Sequence, residues 1–121
     1  MRTRPDKTSE ISLSSGSVTV DGHGYIVDPE VWTKEFAQHV ASGEGIELTS
    51  AHWDVLEFMR ASYADHGVAV DVRHVNKFLA EKLGISKNDG RRLLFELFPY
   101  GYVKQACKIA GMKQPRAWST G

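Results

Sequence analysis

Helix-capping residues and glycines alternate along residues 28–111 and divide this stretch into short helical segments. A polar residue that caps the first turn opens each segment, and a glycine that tolerates a left-handed backbone closes it. The openings are Asp28-Pro29, Thr49 or Ser50, Asp71, and Ser86 or Asn88, and the closing residues are Gly43, Gly67, Gly84 and Gly111. Apolar residues recur between them at helical spacing. The chain is therefore predicted to be mainly α, an orthogonal bundle of about five helices.

The first two helices and the last have specific expected boundaries and faces. The first is expected to begin at Pro29 and continue to Ser42-Gly43 with Trp32 on its apolar face, and the second to place Trp53 in the core. Pro99 and Gly101 separate the fourth helix from a last short one, predicted over residues 102–110.

A β-hairpin is predicted before the helices. Residues 17–20 alternate like a strand, residues 21–24 supply turn residues, and residues 25–27 resume the apolar pattern. Residues 1–16 are serine-rich without a helical or strand period, so they are predicted to form a disordered tail.

The composition is that of one small globular domain. The chain has 121 residues, 41% of them hydrophobic and 25% charged, and a formal net charge of zero. A single cysteine suits a reducing compartment, and no apolar run reaches the ~20 residues of a membrane helix, so the protein is expected to be cytoplasmic without membrane contact. The five histidines lack metal-binding spacing and no phosphate-binding loop is present, so neither metal nor cofactor is expected.

Two separated motifs suggest a family. Residues 97–115 read LFPYGYVKQACKIAGMKQP, and upstream Glu44-Gly45-Ile46-Glu47-Leu48 is followed by His52-Trp53. Together they resemble the DsrC/TusE family, the gamma-subunit-like proteins of dissimilatory sulfite reductase and of the sulfur relay that thiolates tRNA. The resemblance implies a helical domain over residues 17–111, a mobile C-terminal arm over residues 112–121, and partners among sulfurtransferases or a sulfite-reductase-like complex.

The resemblance also implies where sulfur chemistry would lie. In the family a penultimate cysteine on the arm carries sulfur, and the sulfite-reductase partners have a second cysteine eleven residues earlier. Cys107 matches the earlier cysteine, and Trp118 stands where the main sulfur-carrying cysteine would be. Cys107 is thus the only possible sulfur acceptor, and the protein is expected to be a carrier or subunit more than a turnover enzyme. With one cysteine no intramolecular disulfide can form.

The residues alone leave two interpretations of Cys107. Lys104 and Lys108 are near it in the helix; they could favour a reactive thiolate, and they are also candidate residues for binding a partner. However, Val103, Ala106, Cys107 and Ala110 share the apolar helical face, which favours a buried packing role. Trp118 is interpreted either as a docking anchor for a partner or as an exposed residue without a role.

The region from Ser86 onward carries seven basic residues against two acidic ones. The third and fourth helices, joined through Gly84-Ile85-Ser86, resemble a helix-turn-helix. The candidate contact residues are Arg91, Arg92 and Lys87. The alternative hypothesis is therefore a regulatory protein without carrier chemistry that binds DNA or a protein through this basic helix pair. The apolar residues that surround much of the fourth helix favour a structural pair whose arginines are solvated or bind an acidic partner.

Overall fold

A computed structural model describes residues 8–113 of the chain. Two antiparallel strands, β1 (Thr8–Leu13) and β2 (Gly16–Asp21), precede a 3-10 turn (Pro29–Val31) and four α-helices. The helices are α1 (Lys34–Gly43), α2 (Ser50–His66), α3 (Val72–Leu83) and α4 (Lys87–Leu97). A π-helix (Tyr102–Cys107), here called the terminal helix, follows them. The predicted mainly α fold with an N-terminal hairpin is confirmed. In the part of the chain that the structure describes, no helix combines the length and apolarity needed to span a bilayer.

The hairpin is present, and its second strand β2 contains the strand predicted over residues 17–20, but the partner strand predicted over residues 25–27 was wrong. Its first strand, Thr8–Leu13, lies in the segment predicted to be a disordered tail, while Tyr25 and Ile26 contribute only one isolated bridge to Val20. The Asp21 carboxylate accepts the backbone N–H groups of His23 and Tyr25 at 2.8 and 3.0 Å, so the chain forms a loop there. In β1 the apolar residues alternate only weakly among serines, so the sequence did not indicate a strand. Ile11 of β1 pairs with Val18 of β2.

The hairpin is attached to the helices at its tip. Ser14 in the turn donates its backbone N–H and its hydroxyl to the two carboxylate oxygens of Glu35, at 2.9 and 2.6 Å. These bonds lower the pKa of Glu35, the hydroxyl bond more than the backbone bond. On β2, Val18 and Val20 face the core. A short two-stranded hairpin therefore has the packing partner that it needs.

The predicted first helix is two separate elements. Asp28 caps the 3-10 turn through the N–H of Glu30, but Trp32 is extended, and Thr33 then caps α1 through the N–H of Phe36 at 3.2 Å. Thr33 is thus a second capping residue, and a new helix begins after it. The spacing of the apolar residues continues across this break and therefore does not indicate it. The break frees the Trp32 side chain to reach the end of the terminal helix.

His52, and not Trp53, is the buried residue at the start of α2. Its Nδ1 accepts the Thr49 N–H at 3.0 Å, and its Nε2 lies 2.8 Å from the Leu97 carbonyl oxygen. Nε2 must therefore carry the proton and donate to α4, and the ring is neutral. Trp53 is half-buried, with the Lys34 ammonium 5.8 Å from its ring centre.

Burial lowers the pKa of His52 below its ordinary 6.5, outweighing the hydrogen bond to Leu97. As pH falls through 6.5 the unfolded chain therefore takes up this proton before the folded one does. We expect the free energy of unfolding to be fully retained above pH 6.5 and to decline below it, with a slope of at most about 1.4 kcal/mol per pH unit. Urea unfolding between pH 8 and 5.5 would measure it.

His52→Gln should lack this component of the pH dependence, whereas a control change at the exposed His39, His39→Gln, should retain it. An identical slope in wild type and His52→Gln would show that another group is responsible.

The helices α3 and α4 pack at close range. The point of contact is Gly90, where an added Cβ would lie 2.8 Å from the Asn76 carbonyl oxygen and 3.2 Å from the Ala80 nitrogen. Leu94 and Leu97 continue the buried side of α4. The opposite side of α4 is left to solvent.

The terminal helix is buried on nearly every side. Its own buried residues include Tyr102, Gln105, Ala106 and Cys107, and the core continues through Ile109, Ala110 and Met112. Met112, which was predicted to belong to the mobile arm, is 1% exposed. This short segment near the end of the chain is therefore a central element of the core.

Candidate functional site

Cys107 lies at the end of the terminal helix, fully enclosed by the protein. Its fractional exposure is 0%. Tyr102, which lies close to the thiol at the start of the same helix, donates its hydroxyl to the Val70 carbonyl, and this bond fixes the ring between the terminal helix and the loop before α3. The thiol is thus buried, as the packing interpretation of Cys107 expects.

The environment of Cys107 opposes ionisation. Burial raises the pKa of the thiol to about 12, and the contact with Tyr102 counteracts only part of that effect. Because the thiolate is the nucleophile in sulfur transfer, this environment lowers the nucleophilicity of Cys107 in the conformation seen.

The two lysines of the terminal segment have different surroundings. Lys104 is exposed, whereas Lys108 pairs with Glu44 at 3.6 Å and lies 5.3 Å from the centre of the Tyr25 ring. The buried Gln105 donates to the same Glu44 carboxylate at 3.0 Å and accepts the Tyr100 N–H at 2.9 Å. Lys108 thus belongs to an internal network, and Lys104 is the one of the two that a partner could reach directly.

Two side chains that the sequence did not single out bind the backbone just after the terminal helix, at residues 109–111. Trp32 donates its Nε1–H to the Ile109 carbonyl at 2.9 Å. Arg60 donates to the carbonyls of Ala110 and Gly111, both at 3.2 Å, and to Pro29 at 2.8 Å. These bonds satisfy carbonyls that a helix end leaves without partners.

Arg60 also lies over the Trp32 ring, 4.6 Å from its centroid. Its desolvation in this position lowers the pKa of the guanidinium, although the group stays charged at neutral pH. The one available sequence signal was a charged residue four positions after Leu56, on the buried side of α2. Together Trp32 and Arg60 fix the point from which the C-terminal residues continue.

The predicted basic contact residues lie on the solvent side of α4. Arg91 and Arg92 are both exposed, and Arg92 pairs with Asp89 at 3.3 Å. The structure separates them from Cys107, which is in the interior. The helix-turn-helix-like interpretation and DNA binding stay predictions, and Trp118 lies outside the described residues.

Metal-ligating side chains do not converge within residues 8–113. No group of three or more His, Cys, Asp and Glu side chains there could hold an ion.

Comparison with known proteins identifies the family. A family model described as "DsrC like protein" matches residues 12–117. The Sulfurtransferase TusE homolog of Haemophilus influenzae is 38% identical over 105 residues, which cover 87% of this chain and 95% of that protein.

Solved structures agree with the sequence relatives. The solution structure of DsrC from Allochromatium vinosum aligns with a TM-score of 0.78 at 34% identity, covering 91% of this chain and 97% of that one. The oxidized gamma-subunit of dissimilatory sulfite reductase from Archaeoglobus fulgidus aligns with a TM-score of 0.80 at 30% identity, covering 90% and 98%. With a sequence match that spans most of the chain and the same fold, this protein belongs to the DsrC-like family.

Proposed function

We propose that this protein serves a sulfur relay as a docking component, binding a sulfurtransferase or a sulfite-reductase-like complex without carrying sulfur on Cys107. Its relatives are named as a sulfurtransferase and as a gamma-subunit of dissimilatory sulfite reductase, which supports a role in sulfur metabolism. The observation that supports docking over carrying is the complete burial of the Cys107 thiol.

A persulfide carrier must present a thiolate to the donor's sulfur along an open approach. With a pKa of about 12, only about one Cys107 in 10⁴ would be ionised at pH 8, against roughly a quarter of free thiols. The enclosing side chains also exclude the donor. Sulfur exchange at Cys107 would therefore require local opening of the terminal helix, which is part of the core.

We expect Cys107 in the folded protein to react with iodoacetamide at least about a thousandfold more slowly than in the urea-unfolded chain, because both its ionisation and its access are suppressed. Intact mass at successive times would measure the rate, with Cys107→Ala as the control that should gain no label. Incubation with a cysteine desulfurase and cysteine should likewise leave the folded protein's mass unchanged.

A reductant-sensitive sulfur adduct on the folded wild type, absent from Cys107→Ala, would contradict the docking proposal and establish a carrier. A two-cysteine family member loaded in parallel would show that the donor is active. Docking itself is measured by surface-immobilised binding to a purified sulfite reductase or relay sulfurtransferase, and Cys107→Ala should bind within about twofold of wild type. Loss of binding in that variant would assign the thiol a direct role.

A further inference from the structure

An aromatic side chain is exposed on the solvent side of α4, near the end of the helix. Phe95 is 52% exposed, although most large apolar residues of this protein are in the core. It lies between two surface depressions. One, of about 310 Å³, is lined by apolar groups including Val72, Leu94, Phe98 and Tyr102, and the other, of about 320 Å³, by Asn88, Arg91, Arg92 and Phe95.

The polar rim of this surface is mainly cationic. Lys87, Arg91 and Phe95 follow one another at four-residue intervals, so they form one stripe along the helix, with Arg92 beside it. Arg91 lines both depressions. Within residues 8–113 no carboxylate lies in ion-pair distance of Arg91, while Arg92 is shared with Asp89. The stripe therefore places an exposed aromatic ring one turn from a guanidinium that has no ion-pair partner within residues 8–113.

We propose that this α4 surface, defined by Arg91, Phe95 and the groove beside them, binds an acidic segment of a partner protein that inserts a large apolar side chain. The apolar side chain would pack against Phe95 in the groove, and carboxylates next to it would pair with Arg91 and Arg92. Aromatic and arginine side chains are the residues that contribute most to protein interfaces. This inference rests on the docking role proposed above and assigns that role its surface.

The composition of the surface favours a protein partner over nucleic acid. A helix that reads a DNA groove needs polar side chains along its exposed side and cations that meet phosphates. Here an exposed phenylalanine lies at one end of the stripe, the adjacent groove is lined mostly by apolar side chains, and Glu96 follows directly. A carboxylate-bearing apolar segment matches both the charge and the apolar area.

The test is selection of a displayed random-peptide library against the full chain, followed by fluorescence anisotropy with the enriched peptides. We expect enriched peptides to combine a large apolar residue with nearby carboxylates. Phe95→Ala and Arg91→Glu should each weaken binding about tenfold or more, which corresponds to about 1.4 kcal/mol. Both positions are exposed, so unchanged circular dichroism would confirm that these variants fold.

Two matched controls separate the surface from general effects. Val68→Ala removes an exposed apolar side chain that lines a different groove, between α2 and α3, and Lys34→Glu makes a similar charge reversal on α1. Both should bind the peptides within about twofold of wild type.

Three results would overturn the inference: no enriched peptide class, enriched peptides that are basic, or peptides that bind Phe95→Ala and Arg91→Glu as well as wild type. Tight, salt-sensitive binding of a labelled DNA duplex that depends on Arg91 but not on Phe95 would instead assign the surface to nucleic acid. Because none of these assays involves Cys107 chemistry, failure here is distinguishable from sulfur loading of Cys107, which would contradict the docking role itself.

Discussion

Gly111→Ala should lower the free energy of unfolding by about 3 kcal/mol, through left-handed backbone strain and a clash. Gly111 has a φ of 77°, and a Cβ there would lie 2.6 Å from Cγ and 2.9 Å from Cβ of Trp32. The indole cannot move aside freely, because its N–H donates to the Ile109 carbonyl and the Arg60 guanidinium lies over the face of its ring. Urea unfolding followed by circular dichroism would measure the loss.

Gly67→Ala is the matched control. Gly67 has nearly the same φ, 75°, but nothing lies within 4 Å of its added Cβ. This variant should lose only the conformational part, about 1–2 kcal/mol. Equal losses at the two glycines would show that Trp32 does not constrain the end of the terminal helix as described.

Arg60→Met should destabilise the fold by about 2–3 kcal/mol, because the carbonyls of Pro29, Ala110 and Gly111 lose a charged donor in a half-buried setting. Methionine keeps much of the apolar stem, so the loss measures mainly the hydrogen bonds and the contact with Trp32. The same unfolding experiment applies, with hydrogen exchange of residues 105–112 as a local readout. Their amides should exchange faster in the variant.

A surface arginine provides the comparison. Arg73 pairs with Asp71 at 3.0 Å while its side chain is 84% exposed, so Arg73→Met should leave the urea midpoint of unfolding essentially unchanged. If Arg60→Met were equally mild, water would be replacing the guanidinium at those carbonyls, and the terminal helix would not depend on Arg60.

The sequence by itself determined the elements with strong local signals. Asp71 and Ser86 cap α3 and α4 through their side chains, and Gly67 and Gly84 end α2 and α3 in left-handed geometry, as predicted. These features depend on interactions within a few residues, so they can be read from local order. The family was also recognisable, since its two motifs are sequence patterns.

Only the tertiary structure determined the contacts between residues that are far apart in the sequence. Thr8–Leu13 became a strand because β2 and Glu35 lie beside it, although its own serines favour no regular structure. Arg60 and Trp32 meet the carbonyls of residues 109–111 from distant positions in the chain. Periodicity near Cys107 allowed either a reactive or a packed thiol, because one helical face can be covered or open. Burial resolved this, since desolvation depends on all the elements that surround a group and not on its neighbours in sequence.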